Sequence, residues 1–281
     1  MNKSLPKIII FSLLIAAVVL GAGCLSTDSE TVDISGSTTV LPLVQTLSED
    51  YMTDHADLIV LKGGGSGTGI AELIDKTNDI AMSSRKINDK EVAGANANGI
   101  EPVETVIAWD GITIIVNPGN PVNSLTLDQL QKIYTGEITN WNQVGGNDMK
   151  IAVIARDSAS GTQEFFKEAV IGNNSFRTDM ITQSATGAVT QEVAQNANAI
   201  GFIGAAYQDS RVKTLGIDVN GTAVYPTESN ILTGTYPLSR PLYLYTTQTP
   251  SEGATRFIDY VMSPEGQLIV AEVGYAPVNK N

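Results

Sequence analysis

The chain predicts an α/β fold with mostly parallel sheets. Three observations lead there. Short β-rich runs alternate with segments of helical period along the chain after residue 31. The composition, 42% hydrophobic and 17% charged with no low-complexity tract or heptad run, excludes disorder and coiled coil. At 281 residues the chain is too long for one small core and suits one large or two medium domains.

The elements follow in order. Val32–Ser35 reads as a strand, and Val40, Leu43, Val44, Leu47 and Tyr51 then recur at helical spacing. Leu58–Leu61 is the next strand and runs into a glycine loop. Ile70–Lys76 reads as a short helix and Ile80–Met82 as a short strand. Ile112–Val116 is a strong strand, stopped by Asn117, Pro118 and Gly119. Leu127–Tyr134 is helical and Ile151–Ala155 is a strand. Gln163–Ile171 places Phe165, Phe166, Ala169 and Val170 on one helical face. Ile200–Ile203 and Leu242–Tyr245 are strands. Thr255–Met262 is a helix, and the turn Ser263-Pro264-Glu265-Gly266 leads to a last helix near Gln267–Val273. In such sheets ligands sit beyond the carboxyl ends of the strands, where loops meet helix N-termini.

The N-terminus reads as an export signal. Lys3 and Lys7 precede an apolar run from Ile8 to Leu20, and Gly21, Ala22, Gly23 and Cys24 follow. The run is shorter than the roughly 20 residues a spanning helix prefers. Cys24, directly after small residues, reads as the lipidated first residue of a mature lipoprotein, although Gly21 stands where such sites usually carry Leu. An uncleaved anchor helix is the alternative. Either tethers the remaining chain to the outer face of the cytoplasmic membrane, with residues 24–30 as a linker.

Charge and residue scarcity exclude several functions. The formal net charge is −13, and an acidic surface disfavours nucleic acid, which needs clustered Lys and Arg. It also gives small anions no long-range attraction, so an anionic ligand must be held by local hydrogen bonds. Cys24 is the only cysteine, which excludes an internal disulfide and any Cys-based metal site. His55 is the only histidine, which argues against a His-rich metal site and leaves one candidate base for a serine hydrolase built on Ser66 or Ser160.

Three strand-to-helix junctions look alike: Gly36-Ser37-Thr38-Thr39, the run Gly63 to Gly69, and Arg156-Asp157-Ser158-Ala159-Ser160-Gly161-Thr162. Ser-Gly-Thr occurs at 66–68 and again at 160–162. The first turn of a helix leaves N–H groups unpaired and carries partial positive charge, so an oxyanion fits there. Glycine permits close backbone approach, Ser and Thr add donors, and Arg156 adds a charged one. Ordinary N-caps and turns would look the same at any one junction. A P-loop is excluded because no Gly-x-x-x-x-Gly-Lys-Ser/Thr occurs. The dinucleotide spacing fails because Thr68 or Ile70 falls where its third Gly belongs. Trp109, Trp141 and Tyr134 read as core or packing residues.

On these stretches the chain resembles the phosphate-binding component of the phosphate ABC transporter, within the type II periplasmic-binding-protein fold. The matching segments are ISGSTTV from Ile34, GGSGTG from Gly64, DIAMSSR from Asp79, LTLDQLQKIYTGEITNW from Leu125, IARDSASGTQEF from Ile154 and SPEGQLIVAEVG from Ser263. The resemblance implies two α/β lobes, each with a mixed sheet flanked by helices, joined by two hinge strands. Residues 31–111 and 243–281 would form one lobe and 112–242 the other, with crossovers near Ile112–Val116 and Pro241–Tyr245. It implies a monomeric binding protein, without cofactor, metal or catalysis, that delivers phosphate to permease subunits. Phosphate would be held by the Thr38 hydroxyl, the Thr39 N–H, Ser66, Ser84, Arg156, Ser160, the Gly161 N–H and Thr162. Many family members carry Asp where this chain has Ser84, and that carboxylate accepts the phosphate proton and repels sulfate. Asp157 is the nearest sequence candidate to replace it, or else orients Arg156. Sulfate, molybdate or tungstate binding, or a sensory or adhesive role, would share the same fold.

Overall fold

The computed structural model describes residues 29–278, so the export signal, Cys24 and most of the linker lie outside the described residues. The chain runs β1 Thr31–Gly36, α1 Leu41–Asp54, β2 Leu58–Gly63, α2 Ser66–Ile74, β3 Ile80–Ser83, α3 Asp89–Ala97 and the long β4 Val103–Val116. It continues with β5 Ser124–Leu125, α4 Leu127–Thr135, β6 Ala152–Arg156, α5 Gly161–Phe166, β7 Ile181–Gln183, α6 Thr186–Gln195 and β8 Ala199–Gly204. It closes with β9 Lys213–Val219, β10 Thr222–Val224, α7 Glu228–Leu232, β11 Ser239–Thr246, α8 Glu252–Met262, α9 Pro264–Glu272 and β12 Ala276–Pro277.

The sheets are mixed rather than mostly parallel. β1 is parallel to β2 and β3, and β6 is parallel to β7 and β8, as the alternating pattern predicts. β11 is antiparallel to both β3 and β4, and β4 is antiparallel to β8 and β9. The reason is topological. The chain leaves the first group of strands along β4 and returns along β11, so these neighbours must run in opposite directions. β4 serves both groups: up to Gly111 it pairs with β11, and from Ile112 to Val116 it pairs with β8. The crossing point therefore falls at Gly111 and Ile112. The strand extends back to Val103 through its pairing with β11, and this first half, starting at exposed Val103 and Glu104, lacks the unbroken apolar run that reveals Ile112–Val116 in the sequence.

Two apolar cores flank the crossing. One gathers Leu43, Leu47 and Tyr51 of α1 with Phe257 and Val261 of α8. The other packs Tyr134, Trp141, Phe166 and Phe202, with the Phe166 and Phe202 rings stacked 4.2 Å apart. Trp141 and Tyr134 are thus core residues. α4 is set by a reciprocal cap between Thr126 and Gln129 and is stopped by Gly136 at φ 93°.

Several elements lack the periodicity that would reveal them. α3 buries only Ala95, and β7 presents an exposed Ile181 at a sheet edge. α2 begins at Ser66, before the predicted Ile70, because its first turn buries glycine rather than apolar side chains. A Cβ on Gly69 would stand 2.5 Å from the Ser35 carbonyl oxygen. The predicted helix Gln163–Ile171 divides into α5 and a π-turn over Lys167–Ile171. Among the described residues no helix is long and apolar enough to cross a membrane.

Candidate functional site

The three Ser/Thr-rich junctions converge between the two cores. The loop after β1 enters α1, the glycine loop enters α2, and the loop after β6 enters α5. Their hydroxyls meet directly. Thr39 Oγ1 lies 2.9 Å from Thr162 Oγ1, and Ser84 Oγ lies 3.5 Å from the same atom. Ser66 Oγ accepts from the Ser84 N–H at 3.1 Å. The Gly67 N–H donates to the Ala159 carbonyl at 3.1 Å, so backbone also bridges the gap. Gly161 is required by this approach: a Cβ there would stand 2.3 Å from Ser66 Oγ and 2.9 Å from Ser84 Oγ. Thr39, Ser66, Ser84, Arg156, Ser160 and Thr162 are all buried, and Thr38 is half-buried.

The predicted residues divide by local duty. Ser160 caps α5, accepting from the Gln163 N–H at 3.3 Å. Gly161 and Thr162 are the first residues of α5, so neither N–H has a partner within the helix. The Thr39 N–H donates to Ser37 Oγ at 3.2 Å, and the Thr39 hydroxyl meets Thr162 at the start of α5. Thr38 Oγ1 lies 3.3 Å from Thr186 Oγ1, and the Thr38 carbonyl accepts from the Tyr207 hydroxyl.

Arg156 ends β6 and is 3% exposed. Its Nε donates to the Gln183 carbonyl at 3.1 Å, Nη2 to the Ser184 carbonyl at 3.0 Å, and Nη1 to Thr186 Oγ1 at 2.9 Å. Among the described residues it makes no ion pair. Burial pushes its pKa down, an effect opposed by Asp157 and Tyr207 and reinforced by Arg240. Among the described residues no hydrogen bond joins Asp157 to the Arg156 guanidinium. The Asp157 carboxylate accepts from the Ala159 N–H at 3.2 Å, within its own turn.

Sequence reasoning missed four participants. Thr186 opens α6, which has no side-chain cap, and its hydroxyl contacts Arg156, Thr38 and Thr39. Arg240 on β11 is fully buried, and its guanidinium joins Asp110 of β4 (Nη2–Oδ2 2.8 Å), the Ser84 carbonyl (2.9 Å) and Thr162 Oγ1 (3.1 Å). In the sequence Asp110 and Arg240 stand just before the two runs that read as crossing strands, Ile112–Val116 and Pro241–Tyr245. At the rim, Arg85 pairs with Glu91 at 2.6 Å and reaches Glu164 across the gap at 2.5 Å.

A serine hydrolase is not built here. His55 follows the last turn of α1, stacks on Tyr51 with ring centres 3.9 Å apart, and is exposed. The site lies at the other end of α1, whose 14 residues span about 21 Å. Among the described residues no cluster of His, Cys, Asp and Glu gathers as a metal site.

Comparison with known proteins gives the family. Residues 25–265 match the model of the PBP superfamily domain. The phosphate-binding protein PstS of Borreliella burgdorferi is 34% identical over 284 residues, covering 96% of this chain and 98% of that protein. That of Bacillus subtilis is 34% identical over 254 residues, covering 89% and 81%. A crystal structure from Clostridium perfringens, of a protein assigned as a phosphate ABC transporter substrate-binding protein and holding phosphate, superposes with a TM-score of 0.82. It is 35% identical over 89% of this chain and 100% of that one. The chain therefore belongs to the phosphate-binding protein family of ABC-transporter solute-binding proteins, within the PBP superfamily.

Proposed function

We propose that this protein captures inorganic phosphate between its two lobes, outside the cytoplasmic membrane, and presents it to the permease of an ABC importer. The observation that carries the reading is Arg156: a buried guanidinium with no ion pair among the described residues, set among hydroxyls and helix N-termini from both sides of the gap. A buried cation is costly unless it meets an anion. The hydroxyls of Thr38, Thr39, Ser66, Ser84, Ser160 and Thr162 and the Gly161 N–H would then exchange their bonds to one another for charge-assisted bonds to phosphate oxygens. β4 and β11 would be the hinge, and a phosphate touching both lobes would favour the closed form that the permease recognises. A lipid on Cys24 would hold the protein at the membrane, as a monomer.

Equilibrium dialysis with labelled phosphate tests this, with sulfate, molybdate and tungstate as competitors. Phosphate retained against an excess of each competitor is the expected result. Displacement by one of them at equal concentration would transfer the function to that oxyanion.

A further inference from the structure

The Arg156 guanidinium is held entirely by neutral acceptors. A guanidinium has five N–H donors. Three of them are spent where β7 gives way to α6: Nε on the Gln183 carbonyl at 3.1 Å, Nη2 on the Ser184 carbonyl at 3.0 Å and Nη1 on Thr186 Oγ1 at 2.9 Å. The carbonyls follow from the sheet. β6 and β7 run parallel with Arg156 opposite Gln183, whose carbonyl also accepts the Asp157 N–H at 3.2 Å. Thr186 is the one side chain among the three acceptors. It is 1% exposed and opens α6, whose N-cap residue Ala185 offers no side-chain bond. Thr38 Oγ1 and Thr39 Oγ1, from the loop after β1, lie 3.3 and 3.1 Å from the same Thr186 oxygen.

We propose that Thr186 is a positioning residue for anion capture, whose hydroxyl fixes the Arg156 guanidinium so that one N–H on each terminal nitrogen is left for the anion. The inference rests on the phosphate-capture reading and adds to it the group that aims the charged donor. With Nε and one N–H on each of Nη1 and Nη2 engaged, the two remaining donors suffice to bond two oxygens of one oxyanion. A carboxylate at this place would also hold the guanidinium, but it would offset the charge that the ligand needs. A hydroxyl and two carbonyls leave that charge in full. The Thr186 oxygen accepts from Arg156, so its own proton goes to Thr39 or Thr38, which ties the charged donor to the loop after β1. Without this oxygen Nη1 loses its anchor in a buried place, and the plane of the guanidinium is no longer set by an acceptor on each of its three nitrogens.

The test is the phosphate Kd of the full-length protein and its Thr186 variants by calorimetric titration, with a thermal melt showing that each is folded. Thr186→Val keeps the shape of the side chain and Thr186→Ala does not; both remove the oxygen, and both should raise Kd at least tenfold. Thr186→Ser keeps the oxygen and should stay within threefold of wild type. Valine and alanine variants that bind within threefold of wild type, or more tightly, overturn the proposal, and so does a serine variant as weak as they are, since the position would then matter only for packing. Arg156→Lys keeps the charge without the planar fork. In that background Thr186→Val should cost less than threefold, whereas a second tenfold loss would show Thr186 acting independently of Arg156 and would also overturn the assignment. A wild-type protein that takes up no phosphate would instead remove the capture reading, and this proposal with it.

Discussion

At the residue scale the account turns on which side chains meet the anion and which only hold the loops. Arg156 offers charged donors, whereas Thr162 offers one neutral hydroxyl. Hydrogen bonds to charged groups contribute about 1.5–3 kcal/mol and neutral ones about 1 kcal/mol. Arg156→Ala should therefore weaken phosphate binding roughly ten- to hundredfold, and Thr162→Val roughly fivefold. Equal losses in calorimetric titration would contradict that ranking. Away from the site, Asp57 bonds Arg256 at 2.7 Å and accepts from the Tyr51 hydroxyl at 2.7 Å. The Arg256 guanidinium first, then the Glu30 N–H and the Tyr51 hydroxyl, hold its carboxyl well below the usual carboxylate range against the opposing effect of burial. A depressed folded pKa contributes stability that is fully present above the unfolded value, near pH 4, and is lost as pH falls through the folded value. Asp57→Asn should lower stability by about 2 kcal/mol at neutral pH. The gap in thermal midpoint between variant and wild type should close below pH 4; a gap that widens on acidification would contradict the assignment.

Hydroxyl positions at helix starts were legible because caps and anion donors use the same residue types, so Ser66, Ser160 and Thr162 stood out. Thr186 did not, because α6 follows the irregular segment Ser184-Ala185 and its periodicity is weak, with Val189 and Val193 its main apolar contacts. Arg240 and Asp110 were missed for a different reason. Their roles depend on β4 and β11 lying side by side, which is a fact of register and not of local sequence.

At the element scale, glycines at the helix N-termini set how closely the loops approach. Gly161 opens α5 against Ser66 and Ser84, side chains too short to swing far aside. Gly161→Ala should leave each lobe folded while holding them apart, with phosphate affinity down at least tenfold and the thermal midpoint of the ligand-free protein changed by only a few degrees. Wild-type affinity in that variant would show that binding does not require the closed contact. The same glycines made α2 start unnoticed, since a turn without apolar side chains carries no period. Helices with a full apolar face, such as α1 and α8, were read within a few residues of their limits.

At the scale of the whole molecule, a net charge of −13 gives no general attraction for an anion, so capture depends on a buried pocket of local positive charge. The architecture places that charge where the chain crosses between its cores. Arg240 and Asp110 lie on the crossing strands themselves, and Arg156 ends a strand of the second core beside them. Alternating β and α segments revealed the fold class, but the antiparallel crossing followed from the chain leaving and re-entering one sheet, which no local pattern records. The most direct test of capture is calorimetric titration of the ligand-stripped protein with phosphate, beside Arg156→Ala. The account predicts saturable one-to-one binding in the wild type and a large loss in the variant. A folded wild type that gives no saturable phosphate signal, or a variant that binds phosphate as the wild type does, would contradict it.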